Sequence, residues 1–260
     1  MNDTLLLHEK ETTIKFLEYP KIVALEVSSL CQMKCVNCPH GHGLIKNKSL
    51  MSEELFKSVI DDVVSWREKA PRYPHIVLYG NGEPFLNPKL PEFVQYCTDH
   101  GLDSNLSTNV QLAKPEKARA LSDAGLDLIK LSFWGDTAEE YNSRVKRFTF
   151  EKAIQQAKMF IENRDPSMQI VINVVKFRRA GHSLELDPEF TKHFEDYENV
   201  TFYSFYGSDW RGTLDVPELK VPLIGEPKKE PCKMAGEMIP ISAEGKAVFC
   251  WIDYNREYAL

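Results

Sequence analysis

Cys31, Cys35 and Cys38 stand within eight positions of one another, in the run Cys31-Gln-Met-Lys-Cys35-Val-Asn-Cys38. Offsets of four and seven could place three thiols on one helix face, where cysteine packs as a small hydrophobe. The flanks argue otherwise. Ser28-Ser29 precede the run and Pro39, Gly41 and Gly43 follow it, which is the composition of a loop. Three thiols in a solvent-facing loop call for a metal, and thiolates suit zinc or iron–sulfur clusters. His40 and His42 could complete a Cys3His zinc site. Structural zinc loops, however, bring their ligands as two separated pairs, and here three thiols come together. A cluster held by only three thiolates leaves one iron open to a small molecule, as a catalytic zinc keeps one position open.

Further candidates follow at intervals. Gly80 and Gly82, flanking Asn81, permit close backbone approach to a ligand, and Glu83 beside them offers a carboxylate. Read alone, that run is a tight turn with an exposed acid. Ser107-Thr108-Asn109 and Ser132-Phe-Trp-Gly135-Asp136 carry polar groups after apolar runs, and Asn173 interrupts the apolar run Ile170–Val175. A buried amide there needs partners. These residues have to be held by regular elements, and the periodicity supplies them. Strands are expected at 22–27, 75–79, 104–107, 126–133, 168–175 and 200–204. Helices are expected at 53–66, 91–100, 115–124, 138–145, 150–163 and 188–197. Ser52 is a plausible N-cap, and Gly101 and Gly125 are stops. Six strands alternating with helices predict an α/β fold of parallel βα units, a partial (β/α)6 TIM-like barrel. Cys31, Glu83, Asn109 and Gly135 each follow the C-terminal end of a successive strand. That is the rim where such barrels build their sites.

The Cys-x3-Cys-x2-Cys run resembles the radical S-adenosylmethionine (SAM) superfamily. The resemblance implies a [4Fe–4S] cluster on Cys31, Cys35 and Cys38 whose open iron chelates the amino and carboxylate groups of SAM. It implies that Gly80, Asn81, Gly82 and Glu83 stand where the family's Gly-Gly-Glu-Pro-like element contacts the methionyl ammonium. Asn37 replaces the usual aromatic residue before the third cysteine, at a position used through backbone contact with the adenine. Thr108-Asn109 resembles a Thr-Asn-Gly element, with Val110 in place of the glycine. Ser132 resembles the serine of a Ser-x-Asp-Gly segment, a group for the ribose or carboxylate, and Asn173 joins the cofactor-binding set. Such an enzyme cleaves SAM reductively and takes hydrogen from a small molecule or a peptide, giving oxidation or bond formation. It draws electrons from a donor such as flavodoxin or ferredoxin. Asp136, Tyr141, Arg144 and Tyr206 are reachable candidates for quenching or deprotonating a product radical.

Near the C-terminus, Cys232 and Cys250 frame Gly245. Two short strands around Glu244-Gly245 are expected to form a small β-hairpin element. The pattern resembles the opening of the SPASM or twitch extension, which holds an auxiliary [4Fe–4S] cluster. Two thiolates are too few for such a cluster, so the extension reads as incomplete before Leu260. The organisation is therefore a lead-in at 1–20, the barrel at 21–206, a Pro-rich linker at 207–231 and the start of the auxiliary domain at 232–260. The linker predicts few contacts between this tail and the barrel. Cys97 is expected in the core. The lead-in is too short for a leader-peptide-binding domain, which tilts the substrate towards a small molecule. With 32 basic and 38 acidic residues the formal charge is −6, which argues against nucleic acid as the primary partner. No apolar run is long enough for a membrane span, and the N-terminus lacks the order of a signal peptide, so a cytoplasmic protein is expected. The competing reading is a zinc-stapled binding protein without catalysis.

Overall fold

The computed structural model describes residues 18–66, 69–70, 72–177, 183–210, 212–219 and 232–259. In chain order the elements are β1 (Ile22–Leu25), β2 (Lys34–Cys35), α1 (Glu53–Ser65), β3 (His75–Val77), α2 (Leu90–Asp99), β4 (Ser104–Thr108) and α3 (Pro115–Asp123). They continue with β5 (Leu128–Phe133), α4 (Ala138–Arg144), β6 (Val145–Lys146), α5 (Phe150–Glu162), β7 (Gln169–Lys176), α6 (Pro188–Thr191), β8 (Val200–Tyr206), α7 (Lys233–Glu237) and β9 (Met238–Ile241). Seven strands make one sheet in the order β8-β7-β5-β4-β3-β1-β9. Every adjacent pair in it is parallel. The sheet does not close on itself, so the architecture is the expected α/β partial barrel. Among the described residues, no helix is long and apolar enough to cross a membrane.

Period-two alternation sorts the strand residues onto two faces. On β5, Ile129, Leu131 and Phe133 are buried under the helices, while Leu128, Lys130 and Ser132 stay half-exposed on the other face. On β7, Ile170, Ile172 and Val174 take the helix side. The core lies in that outer layer. Phe56 of α1 stacks on Phe93 of α2 with ring centroids 4.1 Å apart, and Cys97 is fully buried beneath the same helices, as expected. Ser52 caps α1 by accepting from the Leu55 N–H at 3.2 Å. Gly101 and Gly125 close α2 and α3 with φ of +68° and +83°, a left-handed conformation that glycine adopts without a Cβ clash.

The tail departs from the expectation. Its first arm, β9, pairs with β1 as a seventh parallel strand, with Ile22 opposite Met238 and Leu25 opposite Ile241. The second arm is reduced to single bridges, Ile241 with Ala247 and Val248 with Ala259. A sequence pattern gives an apolar strand but not its pairing partner, and the free edge of β1 was available. The expected scarcity of contacts between tail and barrel is therefore corrected. Residues 220–231 of the expected linker lie outside the described residues. The preceding stretch packs Leu214, Val216 and Leu219 on Phe177 in a small second cluster.

Phe56→Ala should destabilise the chain by about 3–5 kcal/mol, the usual cost of emptying an aromatic site in a core. Chemical denaturation of wild type and variant measures it, as a fall in midpoint at unchanged slope.

Candidate active site

The cysteine loop leaves β1 and is stitched down rather than left in solvent. Its central residues form β2, which pairs antiparallel with β6, setting Cys35 opposite Val145. The Val36 N–H donates to the Arg144 carbonyl at 2.9 Å. Cys35 is consequently buried, and Cys31 and Cys38 are half-buried. The expected solvent-facing loop is thus the wall of a cavity. Burial raises the Cys35 thiol well above its ordinary value, pushes Cys31 to about 12 and pushes Cys38 to about 11. Hydrogen-bond donors work in the other direction. The Met33 N–H serves Cys31, and the His40 and Gly41 N–H groups serve Cys38. The Asn109 amide also donates to Cys31 Sγ at 3.6 Å. Three thiols with N–H donors aimed at sulfur fit an iron–sulfur centre, whose properties are tuned by such bonds. Among the described residues, no group of three His, Cys, Asp or Glu side chains is drawn together around a single-ion position.

The cavity has a volume of about 800 Å³ and opens at the C-terminal ends of the strands. Cys31, Cys35 and Cys38 line it together with Gly80, Asn81, Gly82, Glu83, Thr108, Asn109, Ser132 and Asn173. All the cofactor-binding residues expected from the sequence meet there except Asn37. That residue is buried behind the cysteines, and its carbonyl accepts from the Trp210 indole at 2.9 Å.

Glu83 is not the exposed acid of a simple turn. It is fully buried and accepts from the Thr108 hydroxyl at 2.8 Å, the Asn109 N–H at 2.9 Å and the Phe85 N–H at 3.1 Å. Desolvation still raises its pKa. Oε2 carries one of those bonds, which leaves acceptor capacity towards the cavity. The glycines let this loop lie flat on the strand that leads to Cys31. A Cβ on Gly82 would stand 2.2 Å from the Ser28 carbonyl oxygen and 2.6 Å from that of Leu30. Val110, in the place of the family's glycine, takes the left-handed φ of +70° that a glycine would take, so the turn survives the substitution. Ser132 Oγ lies 3.0 Å from Ser107 Oγ.

None of the four quenching candidates lines the cavity. Asp136 is buried against Lys176 at 2.5 Å and accepts from the Asp187 N–H at 2.8 Å. Arg144 is buried, donating to the Trp134 carbonyl and lying 4.0 Å over the Phe177 ring. Tyr141 is fully buried in the core. Tyr206, at the end of β8, does not line the cavity either. Lys130, Tyr79 and Tyr203 do, and sequence reasoning passed over them. Lys130 Nζ reaches Tyr79 Oη at 3.2 Å, one inward position below Ser132. The alternation in Leu128-Ile-Lys-Leu-Ser-Phe carried that signal. In the tail, Cys232 and Cys250 are exposed. Cys250 lines a second cavity of about 540 Å³, with Trp210 standing between it and the first.

The profile of the Radical SAM superfamily matches residues 25–178. The chain belongs to the Radical SAM superfamily. The PqqA peptide cyclase of Bradyrhizobium diazoefficiens is 27% identical over 181 residues, 69% of this chain and 45% of that protein. The AdoMet-dependent heme synthase of Methanosarcina barkeri is 30% identical over 177 residues, 68% of this chain and 46% of that protein. The chain spans less than half the length of these curated relatives, which are consistent with the SPASM or twitch-type subgroup. Among solved structures, BtrN in complex with AdoMet and 2-DOIA superposes with a TM-score of 0.59 at 16% identity, covering 94% of this chain and 78% of that one. Streptococcus suis SuiB bound to the precursor peptide SuiA gives 0.59 at 14% identity, covering 93% and 62%. At such identities the likeness is one of fold.

Gly82→Ala should cost about 1–3 kcal/mol or more, because the added methyl meets backbone that cannot turn aside. Thermal unfolding reads the loss, and reduced iron uptake by the variant reads its effect on the cysteine loop.

Proposed function

We propose that this chain is a radical SAM enzyme that takes hydrogen from a small molecule or peptide entering the open side of the barrel. The reading is carried by the convergence of three thiols, a glycine-lined turn, a buried carboxylate and the polar ends of β4, β5 and β7 on one cavity. When bound, the [4Fe–4S] cluster supplies the electron that splits SAM into methionine and a 5′-deoxyadenosyl radical. The chain's own residues do the rest. Cys31, Cys35 and Cys38 would hold the cluster through their thiolates. Glu83 would accept from the methionyl ammonium with its remaining lone pairs while it fixes Thr108 and Asn109. The backbone of Gly80–Gly82 would let the cofactor lie close, and Ser132 and Asn173 would meet its ribose and carboxylate. Helices cover the outer face of the sheet, so the lumen is the route by which substrate reaches the cofactor. An electron donor of the flavodoxin or ferredoxin type would have to approach the cysteine side. Cys232 and Cys250 would be two ligands of an auxiliary cluster, which could accept the second electron of an oxidation.

The deciding experiment is anaerobic incubation with SAM and a strong reductant. Wild type should yield 5′-deoxyadenosine, and Cys31→Ala, Cys35→Ala and Cys38→Ala should each yield none. A colourless protein that binds zinc, with no iron or sulfide after reconstitution, would establish the zinc-stapled reading instead. Glu83→Gln keeps the shape but removes a charge worth about 1.5–3 kcal/mol in a charge-assisted bond. SAM affinity by calorimetry should fall about ten- to a hundredfold, and unchanged binding would remove Glu83 from the site.

A further inference from the structure

The C-terminal segment returns across the molecule to a single buried carboxylate. Glu26 follows β1 and is fully buried. Its Oε2 pairs with the Arg256 guanidinium and accepts from the Ala243 N–H at 3.3 Å. Its Oε1 accepts from the Asn81 N–H at 3.0 Å. The contact with the cofactor loop is also steric: a Cβ on Gly80 would stand 2.8 Å from both Cβ and Cγ of Glu26. Arg256 is itself buried, with a φ of +60°. It lies 3.9 Å from Glu244, whose carboxylate accepts from the Ser49 hydroxyl at 3.5 Å. Ser49 is hydrogen-bonded through its backbone to Ser29, at 2.9 Å, two residues before Cys31. One carboxylate thus joins the tail, the Gly80–Gly82 turn and the strand that feeds the cysteines.

We propose that Glu26 and Arg256 are positioning residues for the cofactor, through which the C-terminal segment sets the backbone of Gly80–Gly82 to receive SAM. The inference rests on the reading of that turn as part of the SAM site. Its physical basis is the intolerance of a buried charge for being unpaired. Without Arg256, Glu26 must bind a proton or turn towards water, and in both cases the Asn81 N–H loses its ionised acceptor. The turn, still held at its far end by Glu83, then loses its hydrogen bond to Glu26 at Asn81. The same linkage runs in the other direction, so whatever orders or displaces the tail changes the affinity for SAM.

Arg256→Ala tests it. Amide hydrogen exchange should speed up at Asn81 and at Ala243. SAM affinity by calorimetry should fall about fivefold or more, the scale of indirect coupling through a shared network. Iron content per chain and the resonance of the reduced cluster without SAM should stay as in wild type, while the spectral change on adding SAM weakens. A general loss of structure would lower all of these together. Arg256→Lys, which keeps the charge, should recover most of the affinity. If Arg256→Ala does not fold, the double variant Glu26→Gln with Arg256→Met removes both charges at once and leaves neither unpaired. It should fold and still show faster Asn81 exchange. Unchanged exchange at Asn81 in a folded variant, or unchanged SAM affinity beside a binding wild type, overturns the proposal. A wild type that binds no SAM overturns the proposed function, and the exchange measurement then still decides whether Arg256 holds the turn.

Discussion

A carboxylate sealed from water needs hydrogen-bond donors, and the rim of this barrel is organised by meeting that need at Glu83. Its three donors come from its own turn and from the end of β4, two elements that the sheet hydrogen bonds alone would leave free to splay. The turn can reach them only because Gly82 lies against the backbone at Ser28 and Leu30, and the Glu83 N–H donates to the Leu30 carbonyl at 2.7 Å. That bond ends one residue before Cys31. The first thiol, the acid and the Thr108-Asn109 pair are therefore parts of one rigid assembly. Asn109 then closes the circuit by reaching Cys31 Sγ with its amide.

The parts of this arrangement that were legible in the sequence are those written in local pattern. The strands show as apolar runs, and their C-terminal ends as the places where polar residues begin. The three cysteines show as a close set whose Ser, Pro and Gly flanks mark a loop. What stayed hidden depends on direction or on distance along the chain. Asp136 and Arg144 follow β5 as a rim residue should, yet they turn into a buried network with Lys176 and with the Val175 carbonyl, and a side chain's direction beyond a strand is set by the loop. Lys130 was readable from period two but was overlooked among apolar neighbours. Glu26 and Arg256 are 230 positions apart, and neither has a local pattern that names the other. The tail was half legible for a related reason: an apolar tetrapeptide before a turn suits a hairpin arm and a parallel edge strand equally well, and Met238–Ile241 serves as both.

The open sheet also explains why the inner face carries polar groups among its apolar and aromatic ones. In a closed eight-stranded barrel the lumen is filled by side chains packed in layers. Here β8 and β9 are edges that do not meet, and Tyr203 on β8 is 60% exposed on the inner side. A wholly apolar lumen would then be an exposed apolar patch, which proteins in water cover or avoid. Ser107, Lys130, Ser132 and Asn173 give that face groups that water can satisfy until a ligand replaces it.

Trp210 adds a consequence for how such a ligand would be accommodated. Its ring borders both cavities, packs edge-on against Tyr254 of the tail at 5.9 Å and donates its N–H to the Asn37 carbonyl beside Cys38. A ligand that took the Asn37 carbonyl as its partner would share that oxygen, which has a second lone pair, with the indole. The cavity and the C-terminal segment thus share Trp210, as the Gly80–Gly82 turn and the same segment share Glu26. Through these two contacts the tail buttresses the site, one at the wall of the cavity and one behind its glycine turn.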